Sequence, residues 1–256
     1  MADLSMTCAE TLAGNPQSLP GVVADSWQVV EGTGPEWDRW VALAANADVY
    51  HCSGYVAAMT SEHPVLPRLL VFQSSLGMVV HPLLLRPLAR LGARFAGLYD
   101  AATCYGYSSP AWAARPGANE RALLNAFWSS EGRLLRRLGV VCEFVRLHPL
   151  LPYRDVLPPE CDLVWRGQTV AIDLTRSVAE LEGQLSANHR RCIRKARRAG
   201  VEVTFSDRPE ELDAFADLYT LTMIRVGARR EYFYPCSTFR KLFALLPRGS
   251  VWLASA

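Results

Sequence analysis

Two hydrophobic rhythms alternate along the chain. Short runs dense in Val, Leu and aromatic residues at 26–30, 68–73, 78–85 and 140–147 predict β-strands, and Ser-Ser-Leu-Gly at 74–77 predicts a hairpin turn between the second and the third. Helical periodicity runs from Pro35 through Trp37, Trp40, Val41 and Leu43, and again over 53–62 and 119–128, with Pro35 suited to a first helical turn. A basic stretch, EGRLLRRLG, follows the last of these helices. His148-Pro149 closes the strand at 140–147, the Pro-rich segment 151–159 reads as a connector, and 162–165 and 169–174 predict two further strands.

The most strongly patterned segment is 178–199, which the spacing predicts as one helix. Ser177 and Glu180 have the capping-box spacing, and Gly200 stands where a C-terminal cap belongs. On that helix Arg190, Arg191, Arg194, Lys195, Arg197 and Arg198 share one side, opposite Leu181, Leu185, Cys192, Ile193, Ala196 and Ala199, so one face should pack and the other should be cationic. After Gly200 the earlier order begins again, with a strand at 201–205, helices at 210–226 and 237–246, and a strand at 251–253. The fold class expected is α+β, with mixed sheets flanked by helices. The division expected is a loose tail at 1–24, a first unit at 25–175 and a second at 176–256. The second unit stops where the first made its hairpin, which predicts a C-terminally shortened form of a longer protein.

Composition narrows the function classes. Half of the 256 residues are hydrophobic, enough for a buried core, and the formal net charge is only +2. The basic helix is therefore a local device on a nearly neutral molecule, which favours a discrete anionic ligand over general coating of nucleic acid. The seven cysteines are scattered singly, without a C-x-x-C pair or a metal-ligand spacing with the five histidines, so they are expected to be reduced, and no metal site is expected. His51, His63 and His81 have no partner spacing. The start of the chain lacks a basic segment followed by an apolar one, and no later run is long and uncharged enough to span a bilayer; the expected compartment is the cytoplasm. No G-x-S-x-G, G-x-x-x-x-G-K-[ST] or G-x-G-x-x-G motif occurs, which argues against a serine hydrolase, a P-loop nucleotidase and a Rossmann cofactor.

Four ordered segments carry a resemblance. HRRCIRKARRAGVEV resembles the basic signature of the FemAB-like, peptidoglycan-bridge-forming branch of the GNAT acyltransferase superfamily. YDAATCYGYSSP is similar to the tyrosine-glycine loop of its relatives, FVRLHPLL to a strand ending in Arg-x-His-Pro, and LYTLTMIRVGARREYFYP to a Thr-Met-x-Arg helix with an aromatic turn. The resemblance implies two GNAT-like domains in tandem, the second incomplete here. It also implies transfer of an acyl or aminoacyl group, from acyl-CoA or aminoacyl-tRNA as donor co-substrate, to an amine or hydroxyl of an anionic, lipid-linked or otherwise glycan-related acceptor. No tightly bound cofactor is implied; tRNA is a possible partner. The positions that match are Arg190 and Arg194 in the basic segment, Tyr105 and Tyr107 in the loop, Arg146 and His148 at the strand end, and Thr222, Arg225, Tyr232 and Tyr234 in the last. Cys192 stands where an asparagine is common, and Ser108-Ser109 replace the usual glycines.

Direct acyl transfer needs a deprotonated nucleophile, donors for the oxyanion and tight positioning, but no covalent intermediate. Arg190 and Arg194, with Arg191 and Lys195 beside them, suit phosphate oxygens of an anionic acceptor, or else form a solvated face. Tyr105 and Tyr107 could line an acceptor pocket or pack their rings in a loop. His148 is the candidate general base, against a purely structural role before Pro149. Arg225 and Tyr232 could contact substrate or staple the last helices together. A non-catalytic RNA- or phosphate-binding module is the alternative function.

Overall fold

The computed structural model describes residues 19, 21, 24–151, 153, 156–158, 160–207 and 212–256. The tail expected at 1–24, parts of the Pro-rich connector and the start of the helix expected at 210–226 fall wholly or largely outside the described residues. The architecture is mixed α+β, with a six-stranded mixed sheet flanked by helices.

The sheet grows from the hairpin read in the sequence. Strand β1 (Ser26–Glu31) pairs antiparallel with β2 (Leu66–Ser74), which pairs antiparallel with β3 (Gly77–Pro87) through a two-residue turn in register Ser74↔Gly77. Gly77 is required at that turn. Its φ is +151°, and a Cβ there would stand 2.2 Å from the carbonyl oxygen of Ala113, a backbone atom with no room to yield. Gly77→Ala should therefore lower stability by about 2–4 kcal/mol, read as a shift of the denaturant midpoint.

The far edge of β3 is shared. Its start pairs with β5 (Ala111–Ala114) and its end with β4 (Tyr99–Ala102), so residues 103–110 leave the sheet as a loop between the two. Strand β6 (Val140–Phe144) then lies parallel to β4, the one parallel pair among the described strands. A parallel neighbour needs a crossover, supplied by helix α3 (Glu120–Arg137). Asn119 caps α3 by accepting from the Ala122 N–H at 3.1 Å. The helix continues through the basic stretch that the sequence placed beyond it, because Glu131, Leu134 and Leu135 prolong the buried stripe of Leu124, Phe127 and Trp128.

Side-chain alternation in β2 and β3 divides the core. Leu69, Val71, Met78 and Val80 face Trp37 and Val41 of helix α1 (Pro35–Val41) and Val56 of helix α2 (Ser53–Thr60). Phe72 and Val79 face Leu123 and Phe127 of α3, and Leu70, Leu83 and Leu85 face Leu134 and Leu135 farther along it. Central strand β3 is buried almost throughout, as a strand covered on both faces must be.

The basic segment is not one helix. It forms α4 (Val178–Gln184) and α5 (Ala187–Arg198), separated by extended Leu185 and Ser186. Ser186 interrupts it because its hydroxyl caps α5, accepting from the His189 N–H at 3.2 Å, a local bond that competes with continuous helix. The predicted capping box at Ser177 and Glu180 is present, and Gly200 ends α5 at φ +76°. The expected packed face is absent: neither helix has a buried residue among those described. The strands expected at 162–165 and 169–174 also do not form, and Trp165, Val170, Ile172 and Leu174 are exposed. Their apolar alternation fits a sheet, but no described strand lies beside them to supply the ladder bonds a strand needs.

Beyond Gly200, β7 (Thr204–Ser206) pairs antiparallel with β8 (Leu253–Ser255), flanking helices α6 (Leu212–Arg225) and α7 (Cys236–Leu245). Helix α7 packs on α2 where Gly54 allows it: a Cβ on Gly54 would lie 2.2 Å from the Leu245 carbonyl oxygen. Leu246 is buried in the core around Trp37, and Lys241 lies 3.6 Å from Glu62.

Candidate functional site

Strands β4 and β6 run parallel, so their carboxyl ends point the same way, and both candidate loops leave from there. The chain after β4 carries Tyr105 and Tyr107, and the chain after β6 carries Arg146 and His148. Carboxyl ends of parallel strands are where open sheets commonly bind ligands, because the loops diverge and leave a crevice. Thr103 joins the two exits. Its N–H donates to the Phe144 carbonyl at 3.0 Å, its hydroxyl oxygen accepts from the Arg146 N–H at 2.9 Å, and its carbonyl accepts from Arg146 Nη1 at 2.8 Å.

One arm of the Arg146 fork is thus fixed, and its guanidinium lies 4.9 Å from the Phe144 ring centre and 6.0 Å from that of Tyr105. Tyr105 meets Tyr232 and Tyr234 at ring-centre distances of 5.8 and 6.4 Å, and Tyr107 meets His148 and Tyr50, each at 5.7 Å. The structure therefore brings together Tyr105, Tyr107, Arg146, His148 and Tyr232. Gly106 makes the loop possible, since at φ +103° its Cβ would lie 2.4 Å from the Tyr50 ring. Tyr105 and Tyr107 are 47% and 37% exposed, which leaves both rings open to a ligand.

A largely buried hydrogen-bond frame holds these two loops. The Ser109 hydroxyl donates to the Tyr153 hydroxyl at 2.8 Å and accepts from the His148 N–H at 3.2 Å, while Tyr153 donates to the Pro110 carbonyl. His51 Nε2 donates to the Ser109 carbonyl at 2.7 Å, and the Tyr55 hydroxyl donates to the Tyr105 carbonyl at 3.0 Å. Asp48 begins the short turn Val49–His51 and accepts the Tyr50 N–H at 2.9 Å; its second oxygen lies 3.7 Å from His148 Nε2.

Protonation follows from these contacts. The Leu150 N–H donates to His148 Nδ1 at 3.2 Å, which assigns the neutral ring's proton to Nε2, facing Asp48. His148 then has no lone pair free for a substrate proton, and the half-buried Asp48 carboxylate is the acceptor of the pair. Burial pushes the Tyr234 phenol up to about 12, with Tyr105 next in effect, and raises Tyr55 and Tyr50 as well; the Asp48 carboxylate adds to the rise at Tyr50. These phenols are hydrogen-bond donors at neutral pH, not bases. Cys104, pushed up to about 12 by burial, is no nucleophile.

The other predicted residues lie elsewhere. Arg190 is half-buried and braces the α4–α5 elbow, its Nη1 donating to the carbonyls of Leu185 at 2.6 Å and Gly183 at 3.1 Å. Arg191 donates to Asn188 at 2.9 Å, and Arg194 and Lys195 are exposed on α5 with no charged partner among the described residues. Arg225 is exposed in the last turn of α6.

Sequence reasoning missed Asp48, Tyr50, His51, Tyr55 and Tyr153. Only the loop register makes His51 and Ser109 neighbours across 58 positions, and no local spacing carries that. His81, read as partnerless, lies 2.6 Å from Glu143 and 3.6 Å from Glu131, a cluster of metal-ligating types on the α3 side of the sheet. No family model matches the chain, and no curated protein or solved structure matches it either.

Proposed function

We propose that the chain is an acyltransferase of the FemAB-like type, moving an acyl or aminoacyl group to an amine or hydroxyl of an anionic, glycan-related acceptor in the cleft at the ends of β4 and β6. On this reading the six-stranded sheet is one GNAT-like unit and the α4–β8 segment belongs to a second. The observation that carries it is the meeting of two segments distant in sequence, Tyr105–Tyr107 and Arg146–His148, at the ends of the parallel strands.

The chemistry assigned to these residues is direct transfer. The free arm of Arg146 grips an anionic group of the acceptor or donor, where a guanidinium fork gives both charge and direction. Phenols of Tyr105 and Tyr107 donate to the carbonyl oxygen as it gains charge. Asp48, with the His148 ring 3.7 Å from its second oxygen, takes the proton released by the attacking amine or hydroxyl as the donor's thioester or ester bond breaks and the CoA thiol or tRNA hydroxyl leaves. The test is to incubate the protein with acetyl-CoA or with aminoacyl-tRNA and a nucleotide-sugar amine, and to read the acceptor mass. An acylated acceptor with either donor is the expected result. An unmodified acceptor with both, under conditions where each donor binds, would overturn the reading.

A second reading rests on the unpacked, exposed cationic side of α5: a module that holds RNA phosphates without chemistry. It makes its own forecast. Arg194→Ala should reduce the slope of log affinity against log salt by about one, whereas Arg190→Ala, whose guanidinium is occupied by the elbow, should change the slope less and lower helicity instead. Equal slopes for Arg194→Ala and wild type would remove α5 as a phosphate contact.

A further inference from the structure

Helix α3 presents an apolar stripe to the sheet, with one exception. Glu131 is 3% exposed and sits between Phe127 and Leu135, where every neighbouring inward position is hydrophobic. Facing it, His81 is fully buried in central strand β3, on the same side as Val79 and Leu83. Glu143, on edge strand β6, completes the group with a side chain 14% exposed. Burying two carboxylates beside an imidazole is costly unless each polar atom is satisfied.

Hydrogen bonding does not satisfy them. His81 Nε2 lies 2.6 Å from Glu143 Oε1, so a single N–H serves that carboxylate, while Glu131 Oε1 at 3.6 Å is beyond hydrogen-bond reach. Glu131 Oε1, His81 Nδ1 and the indole Nε1 of Trp128 are all buried without a hydrogen-bond partner. The His81 and Trp128 rings are 6.1 Å apart, so the three orphaned atoms belong to one region of the core. Buried orphans are rare, and among these three the Glu131 carboxylate oxygen, beside a second carboxylate, is the acceptor that a cation would satisfy.

We propose that His81 Nε2, Glu131 and Glu143 bind a single divalent ion of the zinc class. One ligand atom from each residue lies within 4.8 Å of the others. Zinc–ligand bonds of about 2.0–2.2 Å place tetrahedral donors roughly 3.4 Å apart, so movements of about an ångström close the set around an ion. Two carboxylates and a neutral imidazole neutralise a divalent charge, which a single shared proton cannot do. The imidazole selects a transition ion over magnesium or calcium, which prefer oxygen alone. Entry is past Glu143 at the sheet edge, whose side chain is 14% exposed and leaves room for a water as the fourth ligand. The three ligands come from β3, α3 and β6, so the ion ties the crossover helix to both strands that it joins.

The test is titration of the purified full chain with zinc alone, followed by cobalt, whose visible bands report coordination geometry. The expected result is one high-affinity zinc per chain, a raised unfolding temperature and a tetrahedral cobalt spectrum. Glu131→Gln keeps the shape of the side chain and removes its charge. It should weaken zinc binding about a hundredfold or more while the metal-free protein keeps its unfolding temperature. Glu143→Gln provides a second variant at the partly exposed edge of the site and should likewise weaken zinc binding. Absence of any zinc-dependent shift in wild type would overturn the proposal. So would unchanged affinity in Glu131→Gln, since that would place binding at surface cysteines and histidines.

Discussion

Arg146→Ala should reduce kcat/KM for acyl transfer by about 10–10², because a hydrogen bond to a charged group of the substrate contributes about 1.5–3 kcal/mol. The fold should survive. The lost hydrogen bond from Nη1 to the Thr103 carbonyl at 2.8 Å is only partly buried, and costs about 1 kcal/mol. Arg146→Lys separates two contributions. It keeps the charge but loses the planar fork, so it cannot hold Thr103 and a substrate anion at once. Lysine should restore little of kcat/KM, and most of the loss should appear in KM if the anion is gripped equally in ground and transition states. Rates equal to wild type in both variants would show that Arg146 only stabilises the exit from β6.

Trp37→Ala should be among the most destabilising single changes, at about 3–5 kcal/mol, or roughly 10 °C in unfolding temperature. The indole is fully buried between the first helices and the sheet, and its N–H donates to the His51 carbonyl at 2.8 Å. Trp37→Phe keeps most of the packing but leaves that carbonyl without its buried donor, for about 1–2 kcal/mol. The consequence reaches the cleft. His51 holds the Ser109 carbonyl, Ser109 holds the His148 N–H, and Asp48 sits at the start of the same turn. Trp37→Phe should therefore slow transfer more than its small stability loss implies. Thermal unfolding and kcat on the same preparation measure both effects.

Legibility in the sequence followed the range of the interactions. The hairpin from β2 to β3 was readable because its turn residues and two apolar strands are adjacent, and Ser177, Glu180 and Gly200 marked helix ends because capping is local. Helix α3 extended farther than expected because a buried Glu131 reads as surface when its partner, His81, is 50 residues away. The α4–α5 break was hidden since Ser186 is compatible with helix until its hydroxyl finds the His189 N–H. In the site, Tyr105, Tyr107, Arg146 and His148 were singled out by type and motif. Asp48, His51 and Tyr153 were not, because each acquires its role through a contact made only by folding. Strong charge in α5 drew attention to residues that stand apart from the cleft.

The proposed function requires that substrates are held at the ends of β4 and β6. Hydrogen–deuterium exchange with saturating acetyl-CoA, and separately with aminoacyl-tRNA, tests it directly. The account predicts that at least one donor slows exchange in peptides covering 103–109 and 145–148, and that Arg146→Ala abolishes this protection. Protection confined to 187–198 with both donors, and unaffected by Arg146→Ala, would contradict it and leave the basic helix as the binding element.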